Sequence, residues 1–216
     1  MSFTVVIPSK DVSNLNPCLA SLYLNEPSAS VIVVDDGLTF RPDGPTYVDG
    51  EIPFVFARNC NIGIRKAPSE DNIVLLNDDA LLITPNGFSR LEEFGIPEWG
   101  AIVPATNVTG NAHQWPQNRT LEGWREAGAV PYLCVWLNRK MLNEVGILDE
   151  RYSGCYGSED RDHLESMHRK GWKSGIFYDV FVDHESLKST FRGNPRTPGD
   201  CEAGRRIFRE KWGFEQ

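Results

Sequence analysis

The chain has 216 residues, 40% of them hydrophobic, which is enough to bury one substantial core. No run of about 18 apolar residues occurs, which argues against a transmembrane helix and against stable membrane insertion. The net charge of −8 disfavours non-specific binding to nucleic acid or to an anionic membrane surface. We therefore expect a cytoplasmic protein with no nucleic-acid partner.

The first third of the chain alternates strand and helix patterns. Short apolar runs predict strands, and apolar residues recur at helical spacing after Asn14, which can cap a helix. Alternation of this kind predicts an α/β fold with a largely parallel sheet. The predicted elements are strands over 3–8, 30–34, 53–57 and 73–76, and a helix over 14–25.

The remaining two thirds continue with strands and helices around one polar interruption. Residues 105–128 lack periodicity and are expected to form a substrate-facing loop. The predicted elements are helices over 84–94, 140–145, 159–170 and 201–212, and strands over 100–104, 130–137 and 174–182.

We divide the chain into one domain over 1–190 and a tail over 191–216. The tail begins with a stretch rich in Gly, Pro and Arg and ends in the last predicted helix. Its arginines could close over a diphosphate as a lid, although a basic tail is more often simply solvated.

Acidic clusters follow several of the predicted apolar segments. Asp35 and Asp36 end the second strand, and residues 77–79 (Asn-Asp-Asp) end the fourth. A third cluster, 159–162, opens a helix, and His184 follows the last strand. Carboxylates at strand ends can hold a divalent cation and, through it, a diphosphate. The order of these clusters predicts a metal and phosphate site.

Together these motifs resemble family 2 glycosyltransferases with the GT-A fold, in the rhamnosyltransferase-like branch. The resemblance covers about residues 3–185 and implies a single Rossmann-like domain, with a mostly parallel central sheet flanked by helices. It also implies transfer of a sugar from a nucleotide diphosphate donor to an acceptor, usually with inversion and with Mn²⁺ or Mg²⁺. The motifs lie at 34–37, 58–63, 76–79, 146–150, 159–162 and 184.

The resemblance places the DxD motif of that family at 77–79, with Asn in its first position. Asp79 is then expected to bind Mn²⁺ or Mg²⁺, and His184 to complete the metal site. Asn77 could hydrogen-bond the donor ribose, while Asp78 could bind the metal or a donor hydroxyl. Without the resemblance, the same acidic residues are typical of a solvated turn, and a lone His is more often structural.

The resemblance assigns Asp35 and Asp36 to the base and ribose of the donor. A carboxylate that accepts the imide N–H of uracil favours a UDP-sugar, although thymine offers the same group. Pro8 would line the other side of the base.

An Asn-x-Gly turn near the donor is the role that the resemblance implies for Asn61 and Gly63. Glycine permits close approach of the backbone to a ligand, and Arg65 or Lys66 could steady a phosphate. The alternative is a helix start with solvated basic residues.

The resemblance makes Asp160 the general base, which accepts the proton of the acceptor hydroxyl. Glu159 and Asp162 could orient the acceptor or brace the helix, and Trp115 could stack on an acceptor sugar. The alternative for the cluster is a helix cap, because carboxylates are favoured at a helix N-terminus. The acceptor is an unidentified glycan or small molecule.

Two other kinds of function would fit part of this sequence. An inactive nucleotide-sugar-binding relative, or a slow nucleotide-sugar hydrolase, would share the donor motifs. Residues 34–39 also look superficially like the nucleophile loop of haloacid-dehalogenase-type phosphatases. That loop needs an Asp two residues before its second Asp, and Val34 occupies this position, so a phosphatase is disfavoured.

Overall fold

Helices lie on both faces of one sheet in the computed structural model, which describes residues 2–95, 97–107, 109–115, 122–153, 158–187 and 197–214. The strands are β1 (Phe3–Ser9), β2 (Ser30–Asp35), β3 (Thr46–Asp49), β4 (Asn72–Leu76), β5 (Leu81–Leu82), β6 (Trp99–Thr106), β7 (Trp124–Glu126), β8 (Cys134–Leu137) and β9 (Lys173–Asp183). The helices are α1 (Val12–Asn25), α2 (Phe56–Lys66), α3 (Gly87–Phe94), α4 (Arg139–Val145), α5 (Glu159–His168) and α6 (Thr197–Trp212), with a 3₁₀ turn at Ala112–Gln114.

The sheet has the strand order β3-β2-β1-β4-β8-β6-β9-β5, with β7 paired to β9. Strands β3, β2, β1 and β4 run parallel, as the alternation of elements predicted. Strand β8 is antiparallel to both of its neighbours, β4 and β6, while β6 and β9 are parallel. The α/β class is therefore confirmed, and the sheet is mixed, with its parallel pairings concentrated in the N-terminal half.

The core lies on both faces of the central strands. In β1, Val5 and Ile7 face a cluster that α1 covers, while Val6 between them faces a second cluster covered by α2. Successive side chains of a strand point to opposite faces, so a strand buried on both sides needs a continuous apolar run. The parallel pairing of β1 with β2 and with β4 places the C-terminal ends of these strands at one edge of the sheet.

The predicted strand over 53–57 is wrong, because Phe56 and Ala57 begin helix α2. A short apolar run fits a buried strand or a buried helix equally well. The buried positions Ala57, Cys60 and Ile64 recur every three to four residues, and this helical spacing places them against the sheet.

Gly63 is the point of closest approach between α2 and the sheet. A Cβ atom added there would lie 2.2 Å from Cγ1 of Val6 and 3.1 Å from Cγ2 of Val34. Both neighbours are β-branched and stiff, so they cannot move aside easily. Gly63 is required for packing of the helix on β1 and β2.

We expect Gly63→Ala to lower the free energy of unfolding by about 1–3 kcal/mol through overpacking. Chemical denaturation measures this change. Gly199→Ala is the matched control, because that helical glycine has no atom within 4 Å of an added Cβ, and alanine there should stabilise by at most about 1 kcal/mol. Val6→Ala should partly rescue Gly63→Ala. Equal effects of the two glycine substitutions would contradict this packing account.

Two helices begin elsewhere than predicted. Asp11, not Asn14, caps α1, and its side chain accepts a hydrogen bond from the Ser13 N–H at 2.9 Å. Helix α3 begins at Gly87 and not at residue 84, because the Thr84 hydroxyl accepts a hydrogen bond from the Phe181 N–H at 2.8 Å. Thr84 therefore ties the chain to β9 before the helix starts.

Two further boundaries differ from the prediction. Residues 130–133 precede β8, which starts at Cys134, the first residue that pairs with β4. Pro131 in this segment has no backbone N–H to donate to a neighbouring strand. Helix α6 begins at Thr197 and not at residue 201.

Helix α6 packs on α5. Lys211 Nζ and Trp212 Nε1 donate to the two carboxylate oxygens of Asp162, both at 2.8 Å, and Phe208 is fully buried. Of the arginines in the proposed lid, those at 192 and 196 lie outside the described residues, whereas Arg205 and Arg206 are exposed on α6 and pair with Glu202 and Glu210. The lid stays a prediction. None of the described helices is both long and apolar enough to cross a membrane.

Candidate functional site

The parallel strands β1, β2 and β4 deliver polar residues to one edge of the sheet, at their C-terminal ends. Ser9 ends β1, and its hydroxyl donates to Oδ2 of Asp78, just beyond β4, at 2.7 Å. Burial raises the pKa of Asp78 to about 7, against the lowering effect of the Ser9 hydrogen bond, and the charge of Asp79 adds to the rise. The contact of the Ser9 hydroxyl depends on a strand pairing, which local sequence does not reveal.

Asp79 and His184, which are 105 residues apart, meet at this edge. Oδ1 of Asp79 lies 3.1 Å from Nε2 of His184, and both side chains are largely buried. The chain turns after β4 into β5, whose Leu81 pairs antiparallel with Asp183 at the end of β9. This pairing brings together the two residues that were predicted to bind metal.

Asn107 holds the turn that carries His184. Its Oδ1 accepts the His184 N–H at 2.8 Å, and its Nδ2 donates to Oδ1 of Asp183 at 2.7 Å. Burial opposes ionisation of Asp183, but hydrogen bonds from Ser186, Asn107 and the backbone outweigh it and lower the pKa to about 2. Asn107 carried no signal of this role in the sequence.

Asp79 and His184 have the donor atoms that a divalent cation needs, because carboxylate oxygen and imidazole nitrogen both suit Mn²⁺. Over the described part of the chain, no group of three or more His, Cys, Asp or Glu side chains gathers to hold a metal by itself. A cation held here would need further ligands, such as diphosphate oxygens and water.

Asp36 presents an unsatisfied oxygen next to this edge. It is 7% exposed, its N–H donates to the Ser9 carbonyl at 2.9 Å, and its Oδ1 is buried with no hydrogen-bond partner among the described residues. Burial raises its pKa, and the Asn59 side chain partly opposes this. A buried carboxylate oxygen without a partner is costly unless a ligand supplies a donor. Pro8 is buried in β1 and pairs in register with Val34 of β2, two residues before Asp36.

Asp35 has a different environment from Asp36. Its Oδ1 accepts the N–H groups of Gly37 and Leu38 at 2.9 and 2.7 Å, and its Oδ2 pairs with Arg41 Nε at 2.7 Å. Burial raises the pKa of Asp35, but these hydrogen bonds together outweigh burial and hold it below its ordinary value. Both of its oxygens are committed to shaping the loop after β2.

The structure contradicts a donor-binding role for Asn61, which is fully buried. Its Nδ2 donates to the Leu148 carbonyl at 2.8 Å and to Oε1 of Glu150 at 2.9 Å, and its Oδ1 accepts the Leu148 N–H at 3.1 Å. Asn61 therefore fastens α2 to the segment before α5.

The same correction holds for the neighbours of Asn61. Gly63 lies inside α2 and contacts β1, so it is not part of a turn around a ligand. Arg65 is exposed and pairs with Oε1 of Glu150 at 3.0 Å. The alternative interpretation, a helix with solvated basic residues, describes this segment better.

Asp160 stands in the first turn of α5. Its carboxylate accepts hydrogen bonds from the backbone N–H groups of Arg161, at 2.7 Å, and of Tyr132. Burial nevertheless raises the pKa of Asp160, a shift that favours a proton acceptor at neutral pH.

A buried network supports this part of α5. The Tyr132 hydroxyl lies 3.0 Å from Nδ1 of His163, and Nε2 of His163 lies 2.9 Å from the Gly146 carbonyl. A carbonyl can only accept, so Nε2 carries the proton and Nδ1 accepts from Tyr132. The network links the residue that holds Asp160 to the helix that bears it.

Asp160 lines a cavity of about 540 Å³. The rest of its lining comes from 110–113 and 125–131 and from Arg161 and Leu164 on α5. Residues 110–113 and 125–128 belong to the predicted substrate-facing loop. A volume of this size is typical of small-molecule sites.

The predicted acceptor residues divide into different environments. Asp162 is 2% exposed and holds α6 through Lys211 and Trp212, contacts that fit the second of its two expected roles, bracing the helix. Glu159 is 7% exposed, beside Asp160 in sequence. Trp115 is 39% exposed and donates from Nε1 to the Thr109 carbonyl at 3.0 Å, but it is not one of the described residues lining the cavity.

No protein-family model and no curated protein matches the chain. Solved structures do. GalNAc-T7, solved with UDP, GalNAc and Mn²⁺, matches with a TM-score of 0.70 and 15% identity, over 85% of this chain and 44% of that chain. S. aureus TarS 1-349, solved with UDP-GlcNAc, matches with a TM-score of 0.59 and 13% identity, over 100% of this chain and 74% of that chain.

A further structure of S. aureus TarS 1-349 in complex with UDP gives a TM-score of 0.62 at 12% identity, over 99% of this chain and 72% of that chain. The chain spans less than half of the GalNAc-T7 chain. Identities this low show the fold and not the function. The chain has the GT-A fold.

Proposed function

We propose that this GT-A chain is a metal-dependent inverting glycosyltransferase, of the hexosyltransferase type, in family 2 and its rhamnosyltransferase-like branch. It transfers a sugar from a UDP-sugar to an acceptor hydroxyl. The observation that carries the proposal is the meeting of Asp79 and His184 at the edge where β1, β2 and β4 end. Two largely buried metal-ligating side chains from distant elements are expected where a cation binds.

The donor is held by residues around this edge. Oδ1 of Asp36, buried without a partner among the described residues, would accept the imide N–H of uracil, and Pro8 would lie against the base. Asn77, which follows β4, would hydrogen-bond the ribose, and Asp78 a donor hydroxyl. The UDP and UDP-GlcNAc in the TarS structures and the UDP in GalNAc-T7 support this choice of donor.

Asp79 and His184 would hold Mn²⁺ or Mg²⁺ at the diphosphate. When bound, the cation would neutralise charge on the leaving UDP, so that its departure needs no protonating side chain. The Mn²⁺ in the GalNAc-T7 structure supports the choice of metal. Asn107 would keep His184 in place through its hydrogen bond to the His184 N–H.

Asp160 would act as the base. It accepts the proton of the acceptor hydroxyl while the acceptor oxygen bonds to the anomeric carbon and the bond from that carbon to the UDP oxygen breaks on the opposite face. Attack opposite the leaving group inverts the anomeric centre. The raised pKa of Asp160 supports this role, because a base is most effective when its pKa approaches the working pH.

The proposal is tested by incubating the protein with Mn²⁺ and a panel of UDP-sugars, and by following release of UDP with and without mixed acceptors. Release from one donor, increased by acceptor and yielding a product of inverted anomeric configuration by NMR, is the expected result. Release that no acceptor increases would indicate the slow hydrolase instead. No release from any UDP-sugar would contradict the proposal.

A further inference from the structure

The residues that line the cavity beside Asp160 indicate which kind of acceptor binds there, an inference that rests on the proposed function. Its lining includes Asp160 and Arg161 of α5, together with Arg125 of β7 and His113 of the 3₁₀ turn. The cavity therefore joins the general base to two guanidinium groups within one small-molecule-sized space.

Arg125 and His113 are in contact. Nη1 of Arg125 lies 3.1 Å from Nδ1 of His113. A guanidinium can only donate hydrogen bonds, so Nδ1 is the acceptor and the imidazole carries its proton on Nε2. The Arg125 guanidinium has further N–H groups that can donate to a ligand.

Arg161 connects α5 to the segment 125–131 of the cavity lining. Its Nη1 donates to the Gly128 carbonyl at 3.0 Å, which leaves four further N–H donors on the guanidinium. Asn111 Nδ2 donates to the Ala129 carbonyl at 2.7 Å and holds the same loop. These two hydrogen bonds hold the Arg161 side chain and the loop beside it in place.

The cavity lining carries two arginines, Arg125 and Arg161, and two carboxylates, those of Glu126 and Asp160. Glu126 lies 3.5 Å from Nζ of Lys173, which is outside the lining. The two guanidinium groups therefore share one cavity with the carboxylate of Asp160, and each can offer paired N–H donors to an anion.

The described part of the cavity lining contains no Trp, Tyr or Phe on which a sugar could stack. A neutral sugar is usually bound through an aromatic face, whereas planar guanidinium groups match phosphate and carboxylate oxygens in pairs.

We propose that the acceptor carries an anionic group, a phosphate or a carboxylate, which Arg125 and Arg161 bind while its hydroxyl faces Asp160. The anionic group selects and orients the acceptor. Neutral glycans of the same shape are poor acceptors.

The test uses isothermal titration calorimetry on the full chain saturated with UDP and Mn²⁺, so that the donor site is occupied. The probes are glucose 6-phosphate, glucuronate and glucose. We expect at least one anionic probe to bind at least tenfold more tightly than glucose, and high salt to weaken it. Preference for one anionic probe identifies phosphate or carboxylate as the recognised group.

Arg125→Gln is expected to weaken binding of the preferred anionic probe about tenfold, and Arg161→Gln serves as a second variant if the first is unstable. Arg90→Gln, at an exposed arginine on α3 that does not line the cavity, is the matched control and should leave binding of the probes unchanged. Stabilisation by UDP and Mn²⁺, measured on each variant, checks the fold and the donor site separately.

The outcomes separate the two proposals. Failure of UDP to bind would contradict the proposed function. Retained UDP binding, with equal binding or no binding of the three probes, would overturn only the anionic acceptor. Unchanged anion binding in both folded arginine variants would also overturn it.

Discussion

Asp160→Asn is expected to lower kcat for sugar transfer by about 10²–10⁴-fold, the usual contribution of a general base. The amide keeps the size of the side chain but cannot accept the proton of the acceptor hydroxyl. Affinity for UDP with Mn²⁺ should change little, because Asp79 and His184 lie on other elements. Steady-state kinetics with the donor identified by the UDP-sugar panel measure kcat, and calorimetry measures UDP binding.

Glu165→Gln is the matched control for this variant. Glu165 lies on the same helix, and its carboxylate pairs with Arg169 at 2.7 Å. An effect of Glu165→Gln as large as that of Asp160→Asn would show that the loss comes from α5 in general. Transfer at the unchanged rate by Asp160→Asn would exclude Asp160 as the base.

Asp79→Asn is expected to weaken Mn²⁺-dependent binding of UDP by at least about 10–100-fold, the range found even when only a second-shell partner of a metal is lost. The amide is nearly isosteric, but it lacks the negative charge that attracts the cation. It also has one acceptor oxygen where the carboxylate, which lies beside Nε2 of His184, has two. Calorimetry with and without a chelator measures the change.

Glu93→Gln removes one carboxylate from an exposed position on α3 and should leave UDP binding unchanged. His184→Asn should resemble Asp79→Asn, because both side chains would hold the same cation. If Asp79→Asn binds UDP as tightly as the wild type, and a chelator still weakens that binding, the cation lies elsewhere.

The part of the site that could be predicted consists of residues whose position follows from local sequence. Asp36 and Asp79 each follow an apolar strand, and parallel strands bring their C-terminal ends to one edge. The order of motifs then paired Asp79 with His184, and the structure places them 3.1 Å apart. The segment 53–57 was mispredicted because its short apolar run fits two structures.

Two of the predicted site residues have partners far away in the chain. Asn61 binds Leu148 and Glu150, and Asp162 binds Lys211 and Trp212, none of which is close in sequence. A buried polar side chain that braces two elements has the same local pattern as one that faces a ligand, so only the tertiary contacts distinguish them.

Some side-chain contacts at the site could not be predicted from local sequence. Ser9 and Asn107 act through hydrogen bonds to Asp78 and His184, which need the finished sheet. Arg125 and Arg161 enter the account only because the fold places both on one cavity with Asp160.

The most direct test of the donor site is the thermal stabilisation of the wild-type protein by UDP, GDP, TDP and CMP, each with Mn²⁺ and with a chelator. A ligand that binds only the native state raises the melting temperature according to its occupancy. The account predicts that UDP with Mn²⁺ gives the largest rise and that the chelator removes most of it. No rise with any nucleotide, or a rise with UDP that the chelator leaves intact, would contradict the assignment of Asp36, Asp79 and His184.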